Sequence, residues 1–240
     1  MLDLDAFKYT SNSHRSTRST SQIRLNRNST PKSSSPYAKS PRKSPRNYAA
    51  PQVYAHLPQS VPDIIAPNLH LLIIGLNPGV ATAKAGHVFS GPNNHFWPLL
   101  YESGITPVQL HPSEDRRLLD YGCGVTNIID RPTTEASELS KTELVEAVPR
   151  LFQKIKLYQP KSICVLGKSI WDAIEKHESG RYPGKDFRYG WQRDIDRVGV
   201  FVIMSTSGRV ACYKKQDKLN LFLEMAAWLN KERQKEQGPI

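Results

Sequence analysis

Three cysteines, Cys123, Cys164 and Cys212, are all that this chain carries, and they are scattered. So sparse a set excludes a disulfide framework and points to a reducing compartment. None has a second cysteine or a histidine at zinc-ligand spacing, so no metal is expected and the three read as buried small hydrophobes. Long apolar runs are missing as well. No stretch approaches the ~18 residues of a membrane span, and the N-terminus lacks the apolar segment of a secretory signal. Neither a membrane partner nor secretion is therefore expected. Phosphate fingerprints are also absent: there is no Walker sequence and no GxGxxG, so no nucleotide cofactor is expected. No nucleophile elbow signals a Ser/His/Asp or Cys/His triad.

What is present is unevenly placed. Of the net charge of +11 over 240 residues, residues 1–60 contribute 10 Lys/Arg against 2 Asp/Glu, and residues 61–240 contribute 23 against 20. The basic character belongs mostly to the first quarter, so it does not by itself make the folded part a nucleic-acid binder. Residues 1–60 are rich in Ser, Pro, Arg and Lys and lack apolar periodicity, which predicts a disordered tail. Thr30-Pro31, Ser35-Pro36, Ser40-Pro41 and Ser44-Pro45 are interleaved there with Lys39, Arg42, Lys43 and Arg46. The segment is either a plain linker or a basic arm that adds phosphate contacts and a nuclear address. On the second reading, phosphorylation at these sites should weaken non-specific DNA binding. Residues 61–232 are expected to form one domain, with 233–240 a short C-terminal tail.

The domain alternates strands and helices. Strands are predicted near 69–76, 123–129, 161–166 and 198–204, and helices over 93–103, 113–121, 140–157, 168–177 and 214–232. In 140–157 the apolar positions Leu144, Val148, Leu151, Phe152 and Ile155 share a face, and Ser140 with Glu143 forms a capping box. The last helix shows a similar stripe at Leu219, Phe222, Leu223, Ala226 and Leu229. Strands separated by helices indicate an α/β fold with a mainly parallel sheet covered on both faces. The stretch 178–197 reads as a long connection or irregular hairpin.

Three segments are candidates for chemistry. The apolar run Leu69–Ile74 delivers Gly75-Leu76-Asn77-Pro78-Gly79 to a strand's carboxyl end, where ligands bind in open α/β sheets. Pro78 fixes its own φ and disfavours helix at Asn77, while Gly79 permits close approach. A rigid amide there can position a water or hydrogen-bond a polar group without carrying charge. In the loop that follows, Phe89 either stacks on a flat ligand or packs under the loop, His87 is a loop residue or a ligand contact, and His95, Phe96 and Trp97 begin a helix and pack. No Asp or Glu lies in this first loop, which leaves it without a strong general base. The second segment, Val202–Arg209, is a strand running into Ser205-Thr206-Ser207-Gly208 and a cation. It suits phosphate binding with Arg209 entering a duplex, or a strand–helix turn with a surface arginine. The third, Gly122–Thr133, places Asn127 after a strand, where it could bond a base edge; Asp130 and Arg131 pair with each other or with neighbours.

Taken together, from about Asp63 to Trp228, these segments resemble the mismatch-specific uracil/thymine DNA glycosylase family, within the uracil-DNA glycosylase superfamily. The likeness is carried by Gly75-Leu76-Asn77-Pro78-Gly79, Pro92-Asn93-Asn94-His95-Phe96-Trp97, Asp120-Tyr121-Gly122-Cys123-Gly124-Val125-Thr126-Asn127 and Asp130-Arg131-Pro132-Thr133. The core is similar to fungal members, and the basic tail to the unstructured arms of eukaryotic ones. The resemblance implies a three-layer α/β/α fold, base flipping and hydrolysis of an N-glycosidic bond. It makes Asn77 the group that positions water, Phe89 the stacking platform, and Asn127 a base-edge contact, with Gly75 and Leu76 beside the base. Ser205, Thr206, Ser207, Gly208 and Arg209 then correspond to the loop that enters DNA. Family versions of this loop commonly begin Asn-Pro-Ser or Met-Pro-Ser; here Met204-Ser205-Thr206 lacks the proline, which leaves the identity of the wedge open.

The implied partner is double-stranded DNA with a mismatched or damaged pyrimidine, the implied product an abasic site, and the expected state a monomer in the nucleus. Extrusion costs least where the pair is already weak, which favours U or T opposite G. A neutral amide orients water but hardly deprotonates it, so the rate should depend on the leaving group: uracil above thymine, with 5-fluorouracil and ethenocytosine as further candidates. No lysine is placed for a Schiff base, which implies a monofunctional enzyme. The alternatives are a non-catalytic mismatch-sensing module and a Rossmann-like nucleotide enzyme.

Overall fold

The computed structural model describes residues 50–210 and 212–237. The basic arm with its Ser/Thr-Pro sites lies outside the described residues. Its expected boundary at residue 60 needs correction, because packing begins earlier. Pro51–Tyr54 forms a 3-10 turn, Leu57 is buried, and Tyr54 Oη donates to Glu138 Oε2 at 2.7 Å.

Among the described residues five strands make the sheet: β1 (Leu71–Gly75), β2 (Cys123–Asn127), β3 (Ser162–Leu166), β4 (Gly190–Trp191) and β5 (Gly199–Ile203), in the order β2-β1-β3-β5-β4. The first four in that order run parallel, and β4 pairs antiparallel with β5 inside the long connection. Successive strand residues point to opposite faces, and here both faces are covered. Leu71, Ile73, Val125, Cys164, Phe201 and Ile203 pack against α2 (Phe96–Glu102) and α5 (Lys215–Gln237). Leu72, Ile74, Ile163, Val165, Val200 and Val202 pack against α3 (Lys141–Tyr158) and α4 (Lys168–Ser179). This double burial is why the strands read as continuous apolar runs rather than as alternating ones. The result is the expected α/β/α sandwich.

Several elements differ from their sequence reading. A short helix, α1 (Val80–Ala85), follows the Asn77 turn and ends on Gly86 in the left-handed region at φ 72°. Pro112–Tyr121 is 3-10 rather than α-helical. In α5, Met225 and Lys218 are buried while Leu223 is 44 % exposed, so the stripe is rotated from the expected one. That helix also runs on into the expected tail, where Arg233 donates to the Tyr121 carbonyl at 2.6 Å. Cys212 is exposed, unlike buried Cys123 and Cys164. In α3, Ser140 Oγ accepts from Glu143 N–H at 3.0 Å as the cap predicts, while the Glu143 carboxylate reaches Arg131. Phe152 is only partly buried and meets the His177 ring edge-on.

Candidate active site

The sheet order places β1 between β2 and β3, so the chain leaves β1 in one direction and returns on its other side. Clefts form at the carboxyl ends of strands around such a switch point. A cavity of about 760 Å³ lies there, lined by Gly75, Leu76, Asn77, Phe89, Asn127, Leu166 and Ser205 to Arg209, among others. The residues assigned to water positioning, base contact and DNA entry from the resemblance thus line one cavity, although they come from four segments.

Asn77 is fixed from behind. Its Nδ2 donates to the Arg131 carbonyl at 3.0 Å and to Thr133 Oγ1 at 2.9 Å. A carbonyl can only accept, so the amide nitrogen must face Arg131 and the orientation is settled by chemistry. Both amide protons are thereby used, and Oδ1 has no hydrogen-bond partner among the described residues. Thr133 Oγ1 passes its own proton to the Glu135 carbonyl at 3.0 Å, and Thr133 N–H donates to the Pro78 carbonyl at 3.2 Å. The segment is anchored in turn by Arg131, whose Nε and Nη2 donate to the two Glu143 oxygens at 2.5 and 2.8 Å. That pairing holds the Glu143 carboxyl below the usual carboxylate range and raises Arg131. Asp130 pairs with Arg150 instead. Asp130 and Arg131 therefore pair with neighbours and not with each other.

Asn127 ends β2 directly beside Gly75 in the parallel register. A Cβ on Gly75 would overlap Asn127 Oδ1 and approach Phe89 Cζ to 3.4 Å. Glycine is required there so that an amide and an aromatic ring can share the cavity floor. The Asn127 side chain makes no hydrogen bond among the described residues, which leaves its donor and acceptor for a ligand edge. Phe89 rests on Phe96 at 4.0 Å between centroids and 33° between planes. Its φ of 53° is left-handed, an outlier for a bulky residue. His87, by contrast, faces Asp115 at 3.3 Å and lines a separate, smaller cavity. Phe96 and Trp97 are core residues. His95 sits just before α2, and burial, with Lys218 and Lys215 nearby, holds it below the ordinary imidazole value.

The loop after β5 is clamped to the loop before α2. His95 N–H donates to the Thr206 carbonyl at 3.0 Å, and a Cβ on Gly208 would overlap Asn93. Ser205 Oγ accepts from Ser207 N–H, and Ser207 Oγ from Arg209 N–H, both at 3.3 Å. These local bonds shape the turn that the missing proline does not. Arg209 reaches Glu135 at 3.3 Å, with both side chains more than half exposed. Glu135 is the one carboxylate among the described lining residues, and it sits against this arginine. Sequence reading missed Glu135, the Thr133 anchor and the Asn93–Gly208 contact, because none carries a local signature.

A mainly parallel α/β domain whose strand-end cavity offers two amides, an aromatic face and a loop ending in an arginine has the chemistry to accept a flat, uncharged polar ring. The chain matches the model of the uracil DNA glycosylase superfamily over residues 62–230 and belongs to that superfamily. It is 35 % identical over 180 residues to the G/U mismatch-specific uracil DNA glycosylase of Schizosaccharomyces pombe, an alignment covering 73 % of this chain and 55 % of that protein. The chain thus spans little more than half the length of this relative.

Proposed function

We propose that the chain is a monofunctional DNA glycosylase that removes uracil, and more slowly thymine, from opposite guanine in duplex DNA. The carrying observation is the Asn77 amide, whose two protons are spent on Arg131 and Thr133 so that Oδ1 is left to accept from a water. In the proposed reaction the glycosidic bond breaks with its electron pair departing on the base. The water oxygen bonds to the sugar C1′ and its proton passes through solvent to the departed base anion, leaving an abasic site and free base. Asn77 orients that water but has no basicity to remove its proton, so leaving-group stability should govern the rate. Phe89 stacks on the extruded base, Asn127 bonds its polar edge, and Ser205 to Arg209 engage the duplex. The naming of the S. pombe relative as G/U mismatch-specific supports this substrate class.

The test is single-turnover cleavage of duplexes carrying U, T, 5-fluorouracil or ethenocytosine opposite G, developed with alkali. Excision in the order of leaving-group stability supports the reading. Duplex binding with no abasic product would instead make the chain a mismatch-sensing module.

A further inference from the structure

Asp115 takes no part in the chemistry above, yet it is only 6 % exposed. It sits behind the loop that carries Phe89. Its Oδ2 accepts the Val88 backbone N–H at 3.1 Å and faces His87 Nδ1 at 3.3 Å. Trp97 Nε1 donates to the Val88 carbonyl at 3.2 Å. Both backbone polar groups of Val88 are therefore gripped by side chains from other elements, one residue before the left-handed Phe89.

That position matters energetically. A bulky residue at positive φ persists only where its surroundings over-determine it. Residues 87–95 have no helix or strand of their own, so regular hydrogen bonding does not impose the conformation. The side-chain grip on Val88 does. With the backbone set there, the Phe89 ring lands on Phe96 and beside Gly75. Released, the residue would relax toward negative φ and carry the ring away from the cavity floor.

We propose that Asp115 is a positioning residue for base stacking. Its carboxylate holds Val88 and His87 so that the Phe89 platform is formed before DNA arrives. A carboxylate suits the task because one oxygen serves two neighbouring loop groups and charge strengthens each bond. The proposal rests on Phe89 being the surface on which the extruded base stacks.

The experiment compares Asp115→Ala, Asp115→Asn, Trp97→Phe, Phe89→Ala and the Asp115→Ala/Phe89→Ala double variant of the full chain on a G·U duplex. Single-turnover rates are measured across protein concentration, with thermal melting and amide hydrogen exchange at Val88 alongside. Asp115→Ala should lower the saturated rate about 10- to 100-fold, the range that relief of one strained backbone conformation implies. The half-saturating concentration should move by less than about 3-fold, because the loss falls after binding. Asp115→Asn, whose amide oxygen still accepts from Val88, should keep most of the rate and slow exchange at Val88. On the Phe89→Ala background, removal of Asp115 should cost nothing more. Trp97→Phe, which releases the other grip, should move the same rate in the same direction, and it carries the comparison if Asp115→Ala does not fold. An unchanged saturated rate in Asp115→Ala, or a full additive loss in the double variant, overturns the proposal. Wild-type behaviour of Phe89→Ala removes the platform and the proposal with it. If the unmodified chain excises no uracil, the functional reading fails by itself; unchanged Val88 exchange in Asp115→Ala would then separately overturn the brace.

Discussion

Asn77 and Thr133, 56 positions apart, share a hydrogen bond of 2.9 Å between the Asn77 amide and the Thr133 hydroxyl. It ties the turn after β1 to the loop after β2. The bond turns Asn77 into an acceptor aimed by the fold, so the two residues should fail by different amounts. Asn77→Ala removes the acceptor and should lower the single-turnover excision rate about 10²–10³-fold, the scale of one preorganised polar group. Thr133→Val leaves the Arg131 carbonyl in place and should cost only about 5- to 10-fold, the net worth of one hydrogen bond. Duplex affinity should persist in both, as read by fluorescence anisotropy.

Gly75→Ala should impair folding and excision together. Its methyl group would overlap Asn127 Oδ1, an overpacking fault that costs about 1–3 kcal/mol. Shortening the neighbour relieves the clash, so Gly75→Ala/Asn127→Ala should melt closer to the wild type than Gly75→Ala does, while staying poor in excision. Thermal melting of the single and double variants checks this.

Arg209→Ala should leave stability within about 1 kcal/mol, because its pair with Glu135 is exposed on both sides. Its effect should appear instead as faster release of the abasic product. A stopped-flow or gel-shift measurement of product dissociation, unchanged from the wild type, would argue against a role for Arg209 in the duplex.

Glu143→Gln should destabilise the chain at neutral pH by about 1 kcal/mol, a partly exposed pair being screened by solvent. The sign with pH follows from the direction of the shift. Arg131 lowers the folded-state pKa of Glu143 below its ordinary value of 4.5. The contribution is therefore fully present above that value and disappears as pH falls through the lower folded-state one. The melting difference between wild type and variant should shrink over that acidic window and stay constant above it.

Much of the framework was legible because it depends on local pattern. The four parallel strands are short apolar runs, and α3 announces itself through Ser140 and its apolar face. The elements that escaped have weak local signals. α1 has six residues, mostly small, too few for a helical period to show. The rotated stripe of α5 escaped because Leu223 and Met225 are both apolar, and only packing against the sheet selects Met225. The brace on Phe89 joins a 3-10 segment to a loop 27 residues earlier, and a lone aspartate gives no hint of its partner.

By itself the sequence determined the alternation of strands and helices, the rigid Asn77 turn at a strand end, and the superfamily. These follow from side-chain polarity, proline and glycine geometry, and motif spacing, all properties of neighbouring residues. Only the tertiary structure decided that Gly75 makes room for Asn127, that Thr133 and Arg131 aim the Asn77 amide, and that Glu143 anchors that segment. The first two of these contacts join segments that meet only when β1 and β2 lie side by side in one register, and the third ties the loop after β2 to the start of α3. Shifting that register by one residue would turn each side chain to the other face of the sheet, so the site exists only once the whole sheet has closed.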